Sequence, residues 1–269
     1  MAGRVRLDRE LVRRGLAPSR EAASAAVLAG QVLVRGSVAA KPSAMVSPAD
    51  PLAVTGPARR WASRGGDKLD PALERLGVAV AGRRCLDAGA STGGFTDVLL
   101  DRGAAEVVAV DVGYGQLDLR LRGDPRVRVL DRTNVRALDD ELVGGPVDLA
   151  VADLSFISLT LVVPVLAAVT RPDGELLPLV KPQFEAGRRA VGRGGVVREE
   201  AARAAAVRAV AAAAAGAGFG VAGLCPSPLP GPAGNVEFFL HLRRGAGPLD
   251  ERALAAAVAE GAALPGAAR

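Results

Sequence analysis

The chain has 269 residues, 49% of them hydrophobic, which is enough for one large domain or for a medium and a small one. No apolar run reaches the roughly 18 residues that cross a bilayer, and the start lacks the apolar stretch of a signal peptide. We therefore expect a cytoplasmic protein with no membrane partner. Two cysteines and one histidine argue against a disulfide framework or a zinc site, so we also expect no metal.

Positive charge is concentrated at the start of the chain. Residues 1–55 carry seven arginines and one lysine against four acids, a net charge of +4, whereas the whole chain carries +5. Basic charge packed into one small segment indicates a polyanionic partner, most simply a nucleic acid. A solvated basic helix face is the alternative interpretation.

Lysine is rare among the basic residues of this chain. Of 34 basic residues only Lys41, Lys68 and Lys181 are lysines. An arginine stays protonated under nearly all conditions, whereas a lysine can be tuned toward neutrality, so the lysines mark candidate sites where arginine cannot substitute. Lys68 lies at the start of a predicted helix, where a cation is disfavoured, and Asp67 and Asp70 are local candidates to neutralise it.

The first 55 residues are predicted to form a small α/β unit. The apolar spacing predicts a helix that ends at Gly15, followed by a second helix that Ser19 caps and Gly30 ends. Residues 31–35 read as a short strand, and a further extended piece lies around Met45 and Val46.

This unit resembles the RNA-binding S4 domain first seen in a ribosomal protein. The matching segments are Arg6-Leu-Asp, Gly15-Leu, Ser19-Arg, Gly30-Gln-Val-Leu-Val and Lys41-Pro-Ser. In that family two helices present basic side chains to structured RNA. The resemblance implies that Arg4, Arg6, Arg20 and Lys41 bind RNA, through phosphate contacts that position a protein without reading the base sequence.

A glycine-rich turn between a strand and a helix marks the large unit. A predicted strand ends at Asp87, and the chain then passes through Gly89, Gly93 and Gly94 into a helix that begins at Phe95. Such a turn at a helix N-terminus forms a nucleotide-type pocket. Its spacing fails the dinucleotide-binding pattern and is similar to the first motif of methyltransferases that use S-adenosylmethionine. A plain strand-to-helix turn is the alternative.

Four later predicted strands end in a charged residue. These strands are residues 106–111, 127–131, 147–153 and 175–181, and they end in Asp111, Asp131, Asp153 and Lys181. Their alternation with helical stretches predicts a doubly wound, mostly parallel sheet, whose carboxyl ends form the ligand crevice. Packing alone rarely places charge at a buried strand end. A final strand is predicted over residues 234–241 and carries Glu237.

Several motifs together resemble the TlyA family, also labelled hemolysin A. They begin at Ser63-Arg-Gly-Gly-Asp-Lys-Leu, Leu86-Asp-Ala-Gly-Ala-Ser-Thr-Gly-Gly-Phe, Asp111-Val-Gly-Tyr-Gly-Gln, Ala152-Asp-Leu-Ser-Phe-Ile-Ser, Val180-Lys-Pro-Gln-Phe-Glu and Gly234-Asn-Val-Glu-Phe. The resemblance implies a Rossmann-like methyltransferase domain that transfers a methyl group from S-adenosylmethionine to the 2′-hydroxyl of cytidines in ribosomal RNA, with one or both ribosomal subunits as partners. The implied division is an S4-type domain over 1–58, a linker over 59–62, the methyltransferase domain over 63–244 and a helical tail over 245–269.

The resemblance also implies the residues of the active site. A catalytic Lys-Asp-Lys-Glu tetrad maps onto Lys68, Asp153, Lys181 and Glu237, and the two lysines of the large domain are the two that the tetrad needs. The implied cofactor-binding residues are Asp87, Gly89, Ser91, Gly93, Gly94, Phe95, Asp111, Asp131 and Asn134. Of these, Gly93 and Phe95 would lie against the methionine part of the cofactor, Asp111 against the ribose, and Asp131 or Asn134 against the adenine.

Simpler interpretations stay open for two acids and for the function as a whole. Glu237 is alternatively a surface acid at a strand end, and Asp131 a surface acid paired with Arg128 or Arg132. The chain is alternatively a membrane-active hemolysin, which no basic amphipathic membrane helix supports, or an RNA-binding protein with an inactive methyltransferase fold, against which the intact tetrad argues. The sequence leaves the oligomeric state open and favours a monomer.

Overall fold

The computed structural model describes residues 4–17, 19–55, 60–192 and 194–268, and it contains a small unit followed by a large one. The elements of the small unit are β1 (Val5–Arg6), α1 (Leu7–Arg13), α2 (Arg20–Leu28), β2 (Val32–Val34), β3 (Ser37–Val38), β4 (Met45–Val46) and β5 (Leu52–Val54). Ser19 caps α2 by accepting a hydrogen bond from the Ala22 amide at 3.1 Å, as the sequence predicts. The two helices and the short sheets enclose a separate apolar core that includes Leu7, Leu11 and Val27.

The large unit alternates strands and helices. Its elements are α3 (Gly66–Arg75), β6 (Arg84–Ala88), α4 (Gly94–Asp101), β7 (Glu106–Val110), α5 (Leu119–Arg122), β8 (Val127–Leu130), α6 (Asp140–Val143), β9 (Val147–Ala152), α7 (Leu159–Ala168), β10 (Thr170–Val180), α8 (Pro182–Glu185), α9 (Gly187–Ala190), α10 (Glu200–Gly216), β11 (Gly220–Pro226), β12 (Phe238–Arg243) and α11 (Glu251–Ala262).

Seven strands of the large unit form one sheet in the order β11-β12-β10-β9-β6-β7-β8. Strands β8, β7, β6, β9 and β10 are parallel, whereas β12 runs antiparallel to both of its neighbours. The order reverses between β6 and β9, so the carboxyl ends of these strands open onto a crevice. The predicted doubly wound, mostly parallel sheet is confirmed.

Two apolar layers cover the sheet. One includes α7, α10 and α11, through residues such as Leu166, Val207 and Leu254. The other includes α3 and α4, through residues such as Leu69 and Leu99. Both layers consist mainly of Val, Leu and Ala, whose removal from water drives the packing of helices onto a sheet. Within the described residues, no helix is long and apolar enough to cross a membrane.

The end of the sheet differs from the sequence prediction in two ways. The predicted final strand over 234–241 is wrong for its first part, because the backbone turns at Gly234 (φ +90°) and β12 begins only at Phe238. The Gly231 amide donates to the Asn235 carbonyl at 2.8 Å and closes this turn. Strand β11, which the sequence reading did not predict, forms the edge of the sheet beside β12.

Candidate active site

A cleft of about 450 Å³ opens at the carboxyl ends of β6, β9 and β10. The described residues that line it come from both units: Ser19, Glu21, Ala22, Ala25, Ala62, Ser63, Arg64, Gly65, Lys68, Gly89, Ala90, Ser91, Thr92, Gly94, Phe95, Asp153, Ser155, Lys181, Pro232 and Glu237. Helix α2 of the small unit therefore borders the same space as the strand ends of the large unit.

Lys68 and Glu237 form a buried ion pair in this cleft. Lys68 Nζ donates to Glu237 Oε2 at 2.7 Å, and the exposed fractions of the two side chains are 6% and 1%. Lys68 is on the first turn of α3, and Glu237 directly precedes β12. Neither Asp67 nor Asp70 is the hydrogen-bonded partner of Lys68, since Asp70 pairs instead with Arg60 and Arg102.

Packing around Gly66 fixes the position of Lys68. A Cβ atom at Gly66 would overlap the Trp61 side chain, and one at Gly94 would meet Ser63 Oγ and the Gly66 amide. The N-termini of α3 and α4 thus approach each other more closely than a side chain permits. Trp61 is 5% exposed and belongs to the core of the large unit.

Lys181 and Asp153 form a second ion pair in the cleft. Lys181 Nζ lies 2.6 Å from Asp153 Oδ1 and donates to Ser155 Oγ at 3.2 Å. Asp153 follows β9 and Lys181 follows β10, which are parallel neighbours, so both side chains reach the same edge of the sheet. The structure brings Lys68, Asp153, Lys181 and Glu237 to one cleft as two lysine–carboxylate pairs.

The glycine turn forms one wall of the cleft. Gly89 has φ +91°, and a Cβ atom there would lie 2.6 Å from the Asp153 carbonyl oxygen. Gly93 has φ +98°, and a Cβ atom there would overlap Leu121. Of the six turn residues predicted to hold the cofactor, Gly89, Ser91, Gly94 and Phe95 line the cleft.

Asp87 lies beneath the turn and outside the lining of the cleft. Its side chain is fully buried, and Oδ2 accepts a hydrogen bond from Thr96 Oγ1 at 2.7 Å. Burial raises the pKa of Asp87 to about 7; the Thr96 hydrogen bond acts in the opposite direction, and the nearby charges of Asp153 and Asp111 raise the pKa further.

Asp111 ties the glycine turn to the next loop along the sheet edge. Its Oδ2 accepts from the Ser91 amide at 2.8 Å, and its Oδ1 accepts from the Gly113 amide at 2.7 Å. Each carboxylate oxygen keeps a second lone pair that a ligand hydroxyl can use. Asp111 is not one of the residues that line the cleft.

The two residues predicted at the adenine have protein partners of their own. Asp131 pairs with Arg122 at 2.6 Å, and neither Arg128 nor Arg132, the partners considered from the sequence, forms this contact. Asn134 caps a short 3-10 turn by accepting from the Arg136 amide at 3.0 Å. Neither residue lines the cleft, and their role at an adenine stays a prediction.

Buried acids in the small unit orient its arginines. Asp8 is 2% exposed and accepts from Arg6 at 2.7 Å and from Arg20 at 3.2 Å. The hydrogen bond from Arg6 lowers the pKa of Asp8, so the acid stays charged at neutral pH. Arg4 and Lys41 are exposed. Asp8 thus holds Arg6 and Arg20, two of the four residues predicted to contact RNA.

Two aromatic rings beside the cleft were not predicted as site residues. Phe156 is 93% exposed and has φ +63°, and its ring lies 5.2 Å from that of Phe184, centroid to centroid. An exposed aromatic ring in a strained backbone conformation is a candidate contact for a nucleotide base. The signal available in the sequence was an aromatic residue three positions after Asp153.

Two family models match this chain. A family model described as FtsJ-like methyltransferase matches residues 61–244, and one described as S4 domain matches residues 5–52. A Mycobacterium tuberculosis protein named 16S/23S rRNA (cytidine-2′-O)-methyltransferase TlyA is 57% identical over 244 residues, which cover 90% of this chain and 91% of that protein. The chain belongs to the TlyA family of FtsJ-like methyltransferases.

Two further proteins similar to this chain are named for haemolysis. Hemolysin A of Brachyspira hyodysenteriae is 35% identical over 238 residues, covering 88% of this chain and 99% of that protein. A solved structure of a protein named as a hemolysin, from Streptococcus thermophilus, superposes with a TM-score of 0.77 at 39% identity and covers 97% of this chain and 96% of that chain. The resemblance inferred from the motifs, including the TlyA family and the S4-type unit, is confirmed.

Proposed function

We propose that this TlyA-family chain is an S-adenosylmethionine-dependent 2′-O-methyltransferase that acts on cytidine ribose in ribosomal RNA. The observation that carries the proposal is the meeting of two lysine–carboxylate pairs, Lys68–Glu237 and Lys181–Asp153, in one cleft beside a glycine turn. A relative that is 57% identical over most of both chains is named for this reaction, which supports the choice of substrate.

The residues around the glycine turn fit the cofactor. Gly89 and Gly94 line the cleft, and glycine at both positions lets the turn pack closely against Asp153 and the start of α3. Gly93 and Phe95 would lie against the methionine part, and Asp111 would accept hydrogen bonds from the ribose hydroxyls. Bound S-adenosylmethionine supplies a methyl group that its sulfonium already activates for attack.

The tetrad would handle the oxygen and the proton of the ribose. Transfer of the methyl group from the bound cofactor to the 2′-oxygen would release the proton of the hydroxyl. Lys181 would lie nearest the hydroxyl and would accept that proton or stabilise the developing alkoxide. Asp153 would orient Lys181, and Glu237 would orient Lys68 in the same cleft.

The small unit would bind the RNA. Arg4, Arg6, Arg20 and Lys41 would contact phosphates, and Asp8 holds two of these arginines in place. Because α2 borders the cleft, RNA bound to this unit would lie beside the tetrad. These phosphate contacts would position the RNA so that one ribose enters the cleft.

Methyl transfer to isolated ribosomal subunits tests the proposal. The wild-type protein should transfer tritiated methyl groups from S-adenosylmethionine to RNA, and mapping should place them on the 2′-oxygen of a cytidine. Lys181→Arg keeps the positive charge but replaces an amine, which can lose its proton, with a guanidinium, which cannot. It should lower turnover about 100-fold or more. Arg208→Lys, in an exposed pair with Glu251, is the matched control. A wild-type protein that labels no RNA, or a Lys181→Arg variant with normal turnover, would refute the function or the role of Lys181 respectively.

A further inference from the structure

Two segments that carry half of the tetrad run side by side at the edge of the sheet. One follows β9 and spans residues 153–158, and the other follows β10 and spans residues 181–185. Three residues of the second segment contact the first segment or the residue that follows it, in the same order along the chain. Lys181 contacts Asp153 and Ser155, Phe184 contacts Phe156, and Glu185 contacts Ser158 and Leu159. The Lys181–Asp153 ion pair in the cleft is therefore the first of three places where the segments are held together; we call these places ties.

Glu185 makes the last tie with both of its carboxylate oxygens. Oε1 accepts from the Leu159 amide at 2.7 Å, and Oε2 accepts from Ser158 Oγ at 2.5 Å. Leu159 is the first residue of α7, where backbone amides lack partners inside the helix and an anion is favoured. Burial raises the pKa of Glu185, whereas the hydrogen bonds from Ser158 and Leu159 lower it.

The segment between Asp153 and Ser158 holds a strained residue. Phe156 has φ +63°, in the left-handed region that costs energy for a residue other than glycine, and 93% of its surface is exposed. Leu154 and Ile157 are partly buried against the core, which anchors the segment to the large unit. Its polar contacts with Lys181 and Glu185 lie at its two ends.

We propose that Glu185 is a positioning residue, which holds Asp153 and Ser155 in register with Lys181 by tying the far end of their segment to the start of α7. The proposal rests on the proposed function, because Lys181 acts there on the ribose hydroxyl. A shift of about 1 Å in a reacting group lowers a rate by up to about 100-fold. Loss of the Glu185 tie therefore slows the chemical step and leaves the glycine turn that holds the cofactor in place.

Three variants separate positioning from simple stability. Glu185→Ala removes both hydrogen bonds, whereas Glu185→Gln keeps them, since the amide oxygen accepts from Leu159 and the amide nitrogen donates to Ser158 Oγ. Asp250→Ala is the control, because Asp250 also accepts from a backbone amide at a helix N-terminus, that of Arg252 in α11 at 2.8 Å, but from within the same segment of chain. It removes a helix cap away from the cleft.

We expect Glu185→Ala to lower kcat for ribosomal RNA by about tenfold to 100-fold, with KM for RNA and Kd for S-adenosylmethionine within about twofold of wild type. Glu185→Gln should recover most of the rate, and Asp250→Ala should keep it. Wild-type kcat in Glu185→Ala, a Glu185→Gln variant as slow as Glu185→Ala, or an equal loss of rate in Asp250→Ala would overturn the proposal.

Amide hydrogen exchange measures, without RNA or cofactor, whether Glu185 holds residues 153–159 in place. In Glu185→Ala the amides of residues 153–159 should exchange faster than in wild type, while those of residues 84–88 in β6 should not change. Unchanged exchange over 153–159 would refute the tie itself. Faster exchange together with a wild-type protein that methylates no RNA would leave the tie standing and refute the proposed function instead.

Discussion

Glu237 Oε2 accepts a hydrogen bond from Lys68 Nζ at 2.7 Å, although 169 positions separate the two residues in the chain. Both side chains are almost completely shielded from water. A charge buried this deeply is stable only while its partner is present. The pair therefore joins α3, the first helix of the large unit, to the start of β12, its last strand. Both residues also belong to the proposed catalytic tetrad.

Removal of one member of this pair should destabilise the protein strongly. We expect Glu237→Ala to lower the free energy of unfolding by about 3–5 kcal/mol, because Lys68 keeps a buried charge without a partner. The double variant Lys68→Met with Glu237→Leu should recover most of that loss in urea unfolding and yet remain inactive. Glu260→Ala, which breaks an exposed pair with Arg75, should cost no more than about 1 kcal/mol. Equal losses in Glu237→Ala and Glu260→Ala would contradict the buried pair.

Gly66 should tolerate no side chain. We expect Gly66→Ala to lower the free energy of unfolding by about 1–3 kcal/mol, because its Cβ atom would overlap the Trp61 side chain and displace the helix that carries Lys68. Gly216→Ala is the control: it lies at the end of α10 with no atom within 4 Å, and it should be neutral or stabilising by about 0.5 kcal/mol. Thermal unfolding of both variants measures these changes in stability. A Gly66→Ala variant as stable as wild type would show that the Trp61 side chain can move away from the new Cβ atom at no cost.

Asp111 should determine cofactor affinity. We expect Asp111→Ala to raise the Kd for S-adenosylmethionine by about tenfold to 100-fold, since it would remove the proposed hydrogen bonds to the ribose and release the amides of Ser91 and Gly113. Isothermal calorimetry measures this change directly. Asp124→Ala, which removes an acid paired with Arg126, should bind the cofactor like wild type. An unchanged Kd in Asp111→Ala would refute the assignment.

Asp87 should make stability depend on pH. Its pKa is raised to about 7 in the folded protein, whereas an unfolded aspartate has a pKa near 3.9, so between these values the folded state binds more protons. The free energy of unfolding therefore falls as pH rises from about 4.5 to 6.5, by up to about 1.4 kcal/mol per pH unit. Asp87→Asn should remove this contribution.

Urea unfolding of wild type and Asp87→Asn across that range measures the difference in slope. The comparison between the two proteins is needed because other groups also make the free energy of unfolding depend on pH. Burial lowers the pKa of His241, so its unfolded state binds more protons and its contribution to stability rises with pH, opposite to that of Asp87. Glu185, whose pKa is raised, contributes with the same sign as Asp87. Parallel pH dependences in the two proteins would mean that Asp87 is already charged in the folded state.

Local patterns in the sequence predicted the order of most elements. The helix cap at Ser19, the glycine turn at Gly93 and the strands that lead to Asp153 and Lys181 all follow from apolar period and turn residues. Strand β11 was missed because residues 220–226 have no apolar alternation, and they form a strand only because β12 offers them hydrogen bonds. Glycine at 234 and the turn that Asn235 closes delayed the start of β12 beyond the predicted position.

The sequence by itself determined the set of charged residues at the ends of the strands and the family to which the chain belongs. Only the tertiary structure decided which charges meet: Lys68 pairs with Glu237 and not with Asp67 or Asp70, and Asp131 pairs with Arg122. The physical reason is that hydrophobic periodicity is a property of neighbouring residues, whereas an ion pair depends on how distant elements pack. The tie between Glu185 and α7 arises in the same way, from two loops that the parallel sheet places side by side.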